Sequence, residues 1–326
     1  MEIRGVHFAP IFIASGAAGF FDPKEYWYHR LGSPWKIAGL TFARAGITAK
    51  TMTLLPTKGN LPMQSDGVTP KEWMPKCMVV NSLKQVVLNS VGLSNRGAPD
   101  LLARNIWQQR TGGPFRLSFM APFRENETTQ DRLDQYQELT KILLKERTHT
   151  WRSEIGLEVN ISCPNTDGDP SHFRNEAGQI LDITGALNIP TLCKVSAVES
   201  VQVVAEIAKH PHCDAITMSN SIPWGKLPNQ IDWKGLFGTT ESPLAHIGKG
   251  GLSGWPLRRV IIKWLQEAAD SAFPKPVSAC GGINSAQAAR EVCAIPIVKE
   301  FQVGTAGMLY PWRMKSIIGT AYELFH

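Results

Sequence analysis

Short runs of apolar residues alternate with longer amphipathic stretches along almost the whole chain. A brief continuous apolar run is typical of a strand buried on both faces, and alternation with helices favours a parallel sheet. We predict eight such strands, within Pro10–Ser15, Gly46–Thr53, Phe115–Met120, Ile155–Ser162, Pro190–Val195, Asp214–Ser219, Pro276–Cys280 and Glu300–Thr305.

The stretches between these runs have the spacing of amphipathic helices. Apolar residues recur at helical intervals in Thr129–Lys145, Val198–Lys209 and Leu257–Ala272. Eight strands alternating with helices predict an α/β fold, the (β/α)8 TIM barrel. A doubly wound open sheet is the alternative. It should carry a glycine fingerprint after its first strand, but Ala14–Gly19 does not match it and Gly248–Gly254 comes late.

Composition narrows the classes of protein to consider. The 326 residues contain no tandem repeat or low-complexity run, and such barrels exceed roughly 250 residues as one unit, so we expect a single domain over residues 1–326. The net charge of +6 suits anionic ligands, whereas no Lys/Arg-rich run with interleaved aromatic residues points to nucleic acid. No stretch has the roughly 18 to 20 apolar residues of a membrane span.

The six cysteines point to a reducing compartment. They form no CxxC pair and have no histidine spacing suited to a metal, so we expect no metal site. They are too sparse for a disulfide scaffold, and we therefore predict a cytoplasmic protein. Proline and glycine interrupt the apolar segment Phe8–Phe21, which we interpret as a buried strand and loop rather than a signal peptide.

Polar residues and glycines cluster where the predicted strands end. In a β/α barrel these carboxyl ends meet on one face, where the chemistry takes place. With the loop residue Asn89, the set is Ser15, Gly16, Lys50, Thr51, Asn160, Asn165, Lys194, Asn220, Ser221, Gly281, Gly282, Gly304 and Thr305. We expect these residues to surround one site.

Three groups in this set point to a ligand, although each alone also occurs in ordinary turns, caps or ion pairs. Glycines at the last two strand ends leave backbone N–H groups bare, and barrels commonly bind phosphate there. Asparagine both donates and accepts, so several converging asparagines suit a planar heterocycle with N–H and C=O edges. Burying Lys50 and Lys194 is costly without a partner, which favours a ligand contact, with an internal ion pair as the alternative.

Several segments resemble motifs of the dihydroorotate dehydrogenases, in the same order. Asn160–Asn165 (Asn-Ile-Ser-Cys-Pro-Asn) is similar to that family's catalytic strand, and Asn89–Asn95 to its substrate loop. The segments similar to its flavin-binding motifs are Lys50–Thr53, Gly250–Gly254, Gly281–Ile283 and Gln302–Thr305. The resemblance runs from Ala14 to about Leu309, nearly the whole chain.

The resemblance implies FMN-dependent oxidation of dihydroorotate to orotate, a step of de novo pyrimidine biosynthesis. It gives catalytic roles to Cys163 and Lys50. Cys163 would take a proton from C5 of dihydroorotate while a hydride passes from C6 to N5 of FMN. A free thiol titrates at about pH 8.5, so activity should rise with pH unless the site lowers that value.

The resemblance also implies two sets of binding residues. The implied cofactor-binding residues are Ser15, Gly16, Lys50, Thr51, Asn160, Lys194, Ser221, Gly250, Gly251, Gly281, Gly282, Gly304 and Thr305, the last four at the phosphate. The implied substrate-binding residues are Lys50, Asn89, Gly92, Leu93, Asn160, Asn165, Asn220 and Ser221. Lys50 and Lys194 would lie against the flavin ring, where positive charge stabilises the reduced form.

The electron acceptor is less clearly implied. A cysteine base and the short stretch before Val6 favour the soluble classes over the membrane-bound, quinone-linked class, which has a serine base and a longer N-terminal region. The acceptor would be fumarate, or NAD through a partner subunit carrying FAD and an iron–sulfur cluster, and we expect a homodimer. Two departures bear on the acceptor: Gln64 replaces a usual arginine, and the stretch 221–248, with two tryptophans, is unlike the family's common sequences.

Two other functions stay open. One is an FMN enzyme of the same fold that acts on another cyclic amide, such as a dihydropyrimidine without the carboxylate. The other is a non-catalytic flavin-binding protein. Cys163 argues against the second, because a binding protein has no use for a base at that position.

Overall fold

The computed structural model describes residues 1–21, 42, 44–124, 126–148, 150–161 and 170–325. Its strands are β1 (Glu2–Ile3), β2 (Val6–His7), β3 (Ile11–Ile13), β4 (Gly46–Ile47), β5 (Met78–Asn81), β6 (Val86–Asn89), β7 (Phe115–Phe119), β8 (Ile155–Asn160), β9 (Thr191–Val195), β10 (Ala215–Met218), β11 (Ile222–Pro223), β12 (Gly251–Gly254), β13 (Val277–Cys280) and β14 (Val298–Val303). Its α-helices are α1 (Ala98–Ala103), α2 (Thr129–Glu146), α3 (Pro170–Gly185), α4 (Val201–Ala208), α5 (Trp233–Phe237), α6 (Leu257–Asp270), α7 (Ala286–Cys293), α8 (Thr305–Leu309) and α9 (Met314–Phe325). Within the described ranges, no helix is both long and apolar enough to cross a membrane.

Eight of the strands form a parallel barrel in the order β7-β8-β9-β10-β13-β14-β3-β4. Parallel bridges from Thr48 to Arg116 and from Met52 to Phe119 close the barrel between β4 and β7. Seven of the predicted apolar runs contain one of these strands, and the eighth, Glu300–Thr305, overlaps β14, which begins two residues earlier; the (β/α)8 barrel is therefore confirmed and the open doubly wound sheet is wrong. The three predicted helices correspond to α2, α4 and α6. That residues 1–326 form one domain stays a prediction.

Residues of the barrel strands alternate between the surrounding helices and the barrel interior. On β7, Leu117 and Phe119 belong to the apolar core, whereas Arg116 and Ser118 contact polar side chains of other strands. All five residues of β7 are buried. A strand buried on both faces here has one apolar face and one largely polar face, which its short apolar run did not reveal.

The hairpin of β1 and β2 is followed by Phe8 and Phe12, whose side chains fill the amino-terminal end of the barrel. A small buried cluster there consists of Ile3, Phe8, Phe12, Leu192 and Ala215. The Arg116 guanidinium lies over the rings of Phe8 and Phe12, at 4.7 and 4.0 Å from their centroids. Glycine makes room for these rings, since a Cβ at Gly46 would lie 2.5 Å from Phe12 Cζ.

A second sheet has four short antiparallel strands in the order β11-β12-β6-β5, and we call it the cap sheet. Asn89, at the end of β6, pairs with Gly251 of β12 on one side and with Met78 of β5 on the other. The predicted substrate loop therefore begins on a strand, and part of the glycine-rich stretch is a strand as well. The sequence pattern gave no sign of this sheet because, apart from the β5–β6 hairpin, its strands pair with segments far apart along the chain.

The tryptophan-bearing stretch, which connects β11 and β12 of the cap sheet, packs on itself. The Trp224 ring lies 4.8 Å from that of Trp233 and 5.3 Å from that of Phe237, measured between centroids. Trp233 Nε1 donates to the Lys226 carbonyl oxygen at 3.0 Å. The stretch therefore has an aromatic core of its own.

We expect Gly46→Ala to lower the free energy of unfolding by about 1–3 kcal/mol, because the added methyl group would overlap the Phe12 ring. Urea unfolding followed by circular dichroism measures the loss. Gly178→Ala in α3 is the matched control, since a Cβ there meets no atom within 4 Å. It should be neutral or stabilise by up to about 1 kcal/mol. Equal effects of the two substitutions would contradict the packing argument.

Candidate active site

A cavity of about 480 Å³ lies at the carboxyl ends of the barrel strands, bounded on one side by the cap sheet. The predicted residues that line it are Ser15, Gly16, Lys50, Thr51, Asn89, Gly92, Leu93, Asn160, Lys194, Asn220, Ser221, Gly281, Gly282, Gly304 and Thr305. Gly250 and Gly251 are not in the lining, which includes Ser253 and Gly254 of the same segment instead. Cys163 and Asn165 lie outside the described residues.

A series of hydrogen bonds joins four polar side chains of the cavity wall. The hydroxyl oxygens of Ser15 and Thr51 are 3.0 Å apart, and Asn160 Nδ2 donates to Thr51 Oγ1 at 3.3 Å. Asn220 Nδ2 donates to Asn160 Oδ1 at 3.0 Å. Two of the predicted asparagines are therefore in direct contact, and the four side chains of this series come from four parts of the barrel.

Both predicted lysines are buried in this wall. Lys50 is 5% exposed, and its ammonium donates to the Ser94 carbonyl oxygen and lies 4.7 Å from the centroid of the Phe20 ring. Lys194 is 6% exposed, and its Nζ lies 3.6 Å from a carboxylate oxygen of Glu158. Lys194 thus has both properties considered from the sequence: it belongs to an internal ion pair and it lines the cavity.

The turn after Asn89 has an unusual backbone. Gly92 and Leu93 adopt left-handed φ values of 68° and 60°, a conformation that is uncommon for leucine. A neighbouring segment braces this turn, because Asn60 Nδ2 donates to the Ser90 carbonyl oxygen at 2.9 Å. Gln64, at the position where the family usually has arginine, is exposed and does not line the cavity.

The glycines that follow β13 and β14 form another part of the cavity wall. Gly281 and Gly282 have φ values of 131° and 72°, and a Cβ at Gly282 would lie 2.5 Å from the backbone nitrogen of Arg258. This turn is therefore packed against the first turn of α6. Gly304 directly precedes α8. The first N–H groups of a helix have no partner within it, so both helix starts can supply donors to an anion.

The cavity is also lined by residues that were not predicted as individual site residues, although Gln302 begins one of the segments similar to flavin-binding motifs. Cys280 and Gln302 lie on β13 and β14, two residues beyond the interior residues Ser278 and Glu300. Gln302 is 1% exposed, and its Oε1 has no hydrogen-bond partner in the part of the chain that the structure describes. Counting inward-facing positions two by two along each strand would have found both.

Burial raises the pKa of the Cys280 thiol to about 11; the Lys194 ammonium lowers this pKa and the Glu158 carboxylate raises it.

The rim of the cavity contains large apolar residues, among them Trp73, Met74, Trp255 and Tyr310. Sequence patterns gave no sign of this apolar rim, because its members come from loops and helix ends far apart in the chain.

A sequence model of one family, dihydroorotate dehydrogenase, matches residues 36–317. The chain belongs to the dihydroorotate dehydrogenase family. It is 28% identical, over 84% of its length and 79% of the relative's, to the catalytic subunit of dihydroorotate dehydrogenase B (NAD(+)) of Thermodesulfovibrio yellowstonii. It is 29% identical to dihydroorotate dehydrogenase A (fumarate) of Lactobacillus helveticus, over 63% of this chain and 62% of that one.

A solved structure shares the fold. The dihydroorotate dehydrogenase of Eimeria tenella, in a complex with ferulenol, superimposes with a TM-score of 0.68 at 16% identity, covering 99% of this chain and 83% of that one. Members of the family are FMN-dependent oxidoreductases that act on a CH–CH bond. The predicted class of enzyme and its FMN cofactor are therefore confirmed, while the roles of individual residues stay predictions.

The cavity lining has the groups that FMN requires. The glycine turns and the starts of α6 and α8 offer N–H donors to a phosphate, and Lys50 and Lys194 offer positive charge to the ring. Gln302 Oε1 offers an acceptor to a ring N–H, since it is otherwise unpaired among the described residues. We therefore expect Gly281, Gly282, Gly304 and Thr305 to hold the phosphate.

We expect Gly282→Ala to weaken FMN binding by about 10- to 100-fold, because the methyl group meets the α6 backbone and the left-handed φ disfavours alanine. Flavin fluorescence titration of the apoprotein measures the dissociation constant. Gly113→Ala is the control: φ is positive there too, at 97°, but a Cβ meets nothing within 4 Å. Equal weakening by the two substitutions would show that the effect is a general loss of stability.

Proposed function

We propose that this protein uses FMN to oxidise dihydroorotate to orotate, the redox step of de novo pyrimidine biosynthesis. The observation that carries the proposal is that one cavity contains two buried lysines, the hydrogen-bonded pair Asn160–Asn220 and the glycine turns. Membership of the family supports it, as do relatives named for dihydroorotate in both the NAD-linked and fumarate-linked groups.

The proposed substrate is a ring with amide N–H and C=O edges and one carboxylate. Asn89, Asn160 and Asn220 line the cavity and can donate to and accept from such edges. Lys50, which is almost completely buried, adds a positive charge that favours an anionic ring over a neutral one. Gly92, Leu93 and Ser221 complete the proposed set, together with Asn165 on the strength of its motif.

When bound, FMN would supply the acceptor for the hydride that leaves C6 of the substrate ring. The protein's part is to orient the reactants and to supply charge. Ser15 and Thr51 fix the Asn160 amide, which keeps the ring edge of the substrate in one orientation. Lys50 and Lys194 place positive charge in the same wall, where negative charge develops as the flavin is reduced.

We assign the general base, which removes the C5 proton, to Cys163 on the basis of its motif. Cys280 is a second thiol to consider, because it lines the cavity. Burial raises the pKa of Cys280 to about 11, so this thiol is protonated at neutral pH and is a poor proton acceptor. Cys163 is therefore the better candidate for the base than Cys280.

Anaerobic mixing of the FMN-loaded protein with dihydroorotate should bleach the flavin absorbance, because the substrate reduces the cofactor. Dihydrouracil, which has the same ring without the carboxylate, is the matched control and should bleach it at least about 100-fold more slowly. Bleaching by dihydrouracil alone would contradict the proposal and favour the cyclic-amide alternative. No bleaching by either compound would favour a flavin-binding protein without catalytic function.

The same reduced sample identifies the electron acceptor. Fumarate alone should restore the colour if the chain works like its fumarate-linked relatives, whereas NAD should require an added partner subunit that carries FAD and an iron–sulfur cluster. The homodimer and the cytoplasmic location stay predictions, and analytical ultracentrifugation tests the first.

We expect Cys163→Ala to keep bound FMN but to slow flavin reduction by dihydroorotate at least about 100-fold, the usual scale for loss of a general base. Stopped-flow absorbance measures this rate. Cys280→Ala serves as the comparison and should change the rate by less than about fivefold. The reverse pattern, with Cys280→Ala slow and Cys163→Ala normal, would move the base to β13.

A further inference from the structure

Glu158 is a fully buried carboxylate in the barrel interior, one layer beneath the cavity wall. It lies two residues before Asn160 on β8, and residues two apart on a strand share one face. Thr217 Oγ1 and Gln302 Nε2 both donate to its Oε2 at 3.0 Å, and Lys194 Nζ lies 3.6 Å from Oε1. Side chains from β9, β10 and β14 thus converge on this one anion.

The carboxylate constrains two residues that line the cavity. An ionised carboxylate only accepts hydrogen bonds, so Gln302 must present its amide nitrogen to Glu158, which leaves Oε1 for another partner. Lys194 is held by charge attraction at the same carboxylate. Replacing Glu158 by a neutral group would remove the negative charge that offsets Lys194.

We infer that Glu158 tunes the flavin site through Lys194: its carboxylate offsets the charge of the Lys194 ammonium and so sets how strongly the site favours reduced FMN. The inference rests on the proposed placement of Lys194 beside the flavin ring. Reduction adds negative charge to the ring, and a cation beside it favours that form. With Glu158 ionised, the pair is neutral and its pull on the flavin is weaker than that of lysine alone.

The other titratable groups around this pair do not supply the same effect. Cys280, on β13, has a pKa raised to about 11 mainly by burial and stays neutral near pH 6. Arg116 and Glu300 form a separate buried pair deeper in the barrel. Lys50 lines the cavity and contributes its own positive charge, which is the same in every variant considered below.

The test measures the ratio of reduced to oxidised FMN in equilibrium with a reference redox dye at pH 6. Low pH is chosen because a lysine that has lost its carboxylate partner keeps its proton more readily there. We expect Glu158→Gln to raise the ratio at least about tenfold and Lys194→Met to lower it at least about tenfold. The double variant, again neutral, should return to within about threefold of the wild type.

Two comparisons separate charge from mere loss of a buried carboxylate. Glu300→Gln removes another fully buried carboxylate, one that faces Arg116, and should shift the ratio less than Glu158→Gln does. Glu158→Asp keeps the charge and should stay within about threefold of the wild type. If Glu158→Gln does not fold, the double variant is compared with Lys194→Met alone. The double variant leaves neither charge of the pair buried without the other, so we expect it to fold. Its ratio of reduced to oxidised FMN must exceed that of Lys194→Met.

An unchanged or lowered ratio in Glu158→Gln, or an equal shift in Glu300→Gln, would overturn the inference. This failure is distinct from failure of the proposed function. If dihydroorotate reduces the protein but Glu158→Gln leaves the ratio of reduced to oxidised FMN unchanged, the proposed function stands and the role of Glu158 is wrong. A protein with the expected shifts that dihydroorotate fails to reduce would lose the function and keep the inference.

Discussion

Opposite charges paired inside the barrel are the interaction on which the rest of the structure depends. Arg116 Nη2 and Glu300 Oε2 are 2.7 Å apart near the filled end of the barrel, and neither residue has solvent exposure. Ser278 and Gln302 link this pair to Glu158, which faces Lys194 at the cavity. Burying any one of these charges alone would cost several kcal/mol, so each charged residue depends on an oppositely charged residue of another strand.

The residues of these interior ion pairs all lie on barrel strands, and the cap sheet and the rim contribute none of them. The interior pairs tie β7, β8, β9 and β14 together, and side chains at the carboxyl ends of such strands are held in defined positions. The cap sheet is held together by backbone pairing among its own strands, and its residues Val86, Leu88 and Leu252 belong to the same apolar core as the barrel strands. The proposed site residues at the strand ends are therefore held more firmly than the loop residues of the rim.

The sequence predicted the barrel and the polar part of the cavity lining at the strand ends for one physical reason. The strands pack apolar side chains against helices, which produces regular apolar runs, and their ends then mark where the site residues lie. Lys50, Lys194 and Asn220 were found in this way. The resemblance to known motifs added Gly92 and Leu93, which strand ends alone did not identify.

The features that the sequence did not predict depend on contacts between distant segments. Glu158 lies within an apolar run, and nothing local distinguishes it from a strand residue turned to solvent. The cap sheet pairs Val86–Asn89 with Gly251–Gly254, two short segments of which one is rich in glycine. The resemblance implied that Gly250 and Gly251 bind the cofactor, whereas Ser253 and Gly254 of the same segment line the cavity.

The cap sheet has a consequence for how the protein reaches its native state. Asn89 bonds to the carbonyl oxygen of Gly251, 162 residues further along the chain, and contacts of this range form late because closing so long a loop is entropically costly. The cavity is thus complete only when both halves of the chain have folded. A ligand that binds only the complete cavity stabilises the whole chain against unfolding by mass action. The supply of flavin in the cell would then influence how much of this protein survives proteolysis.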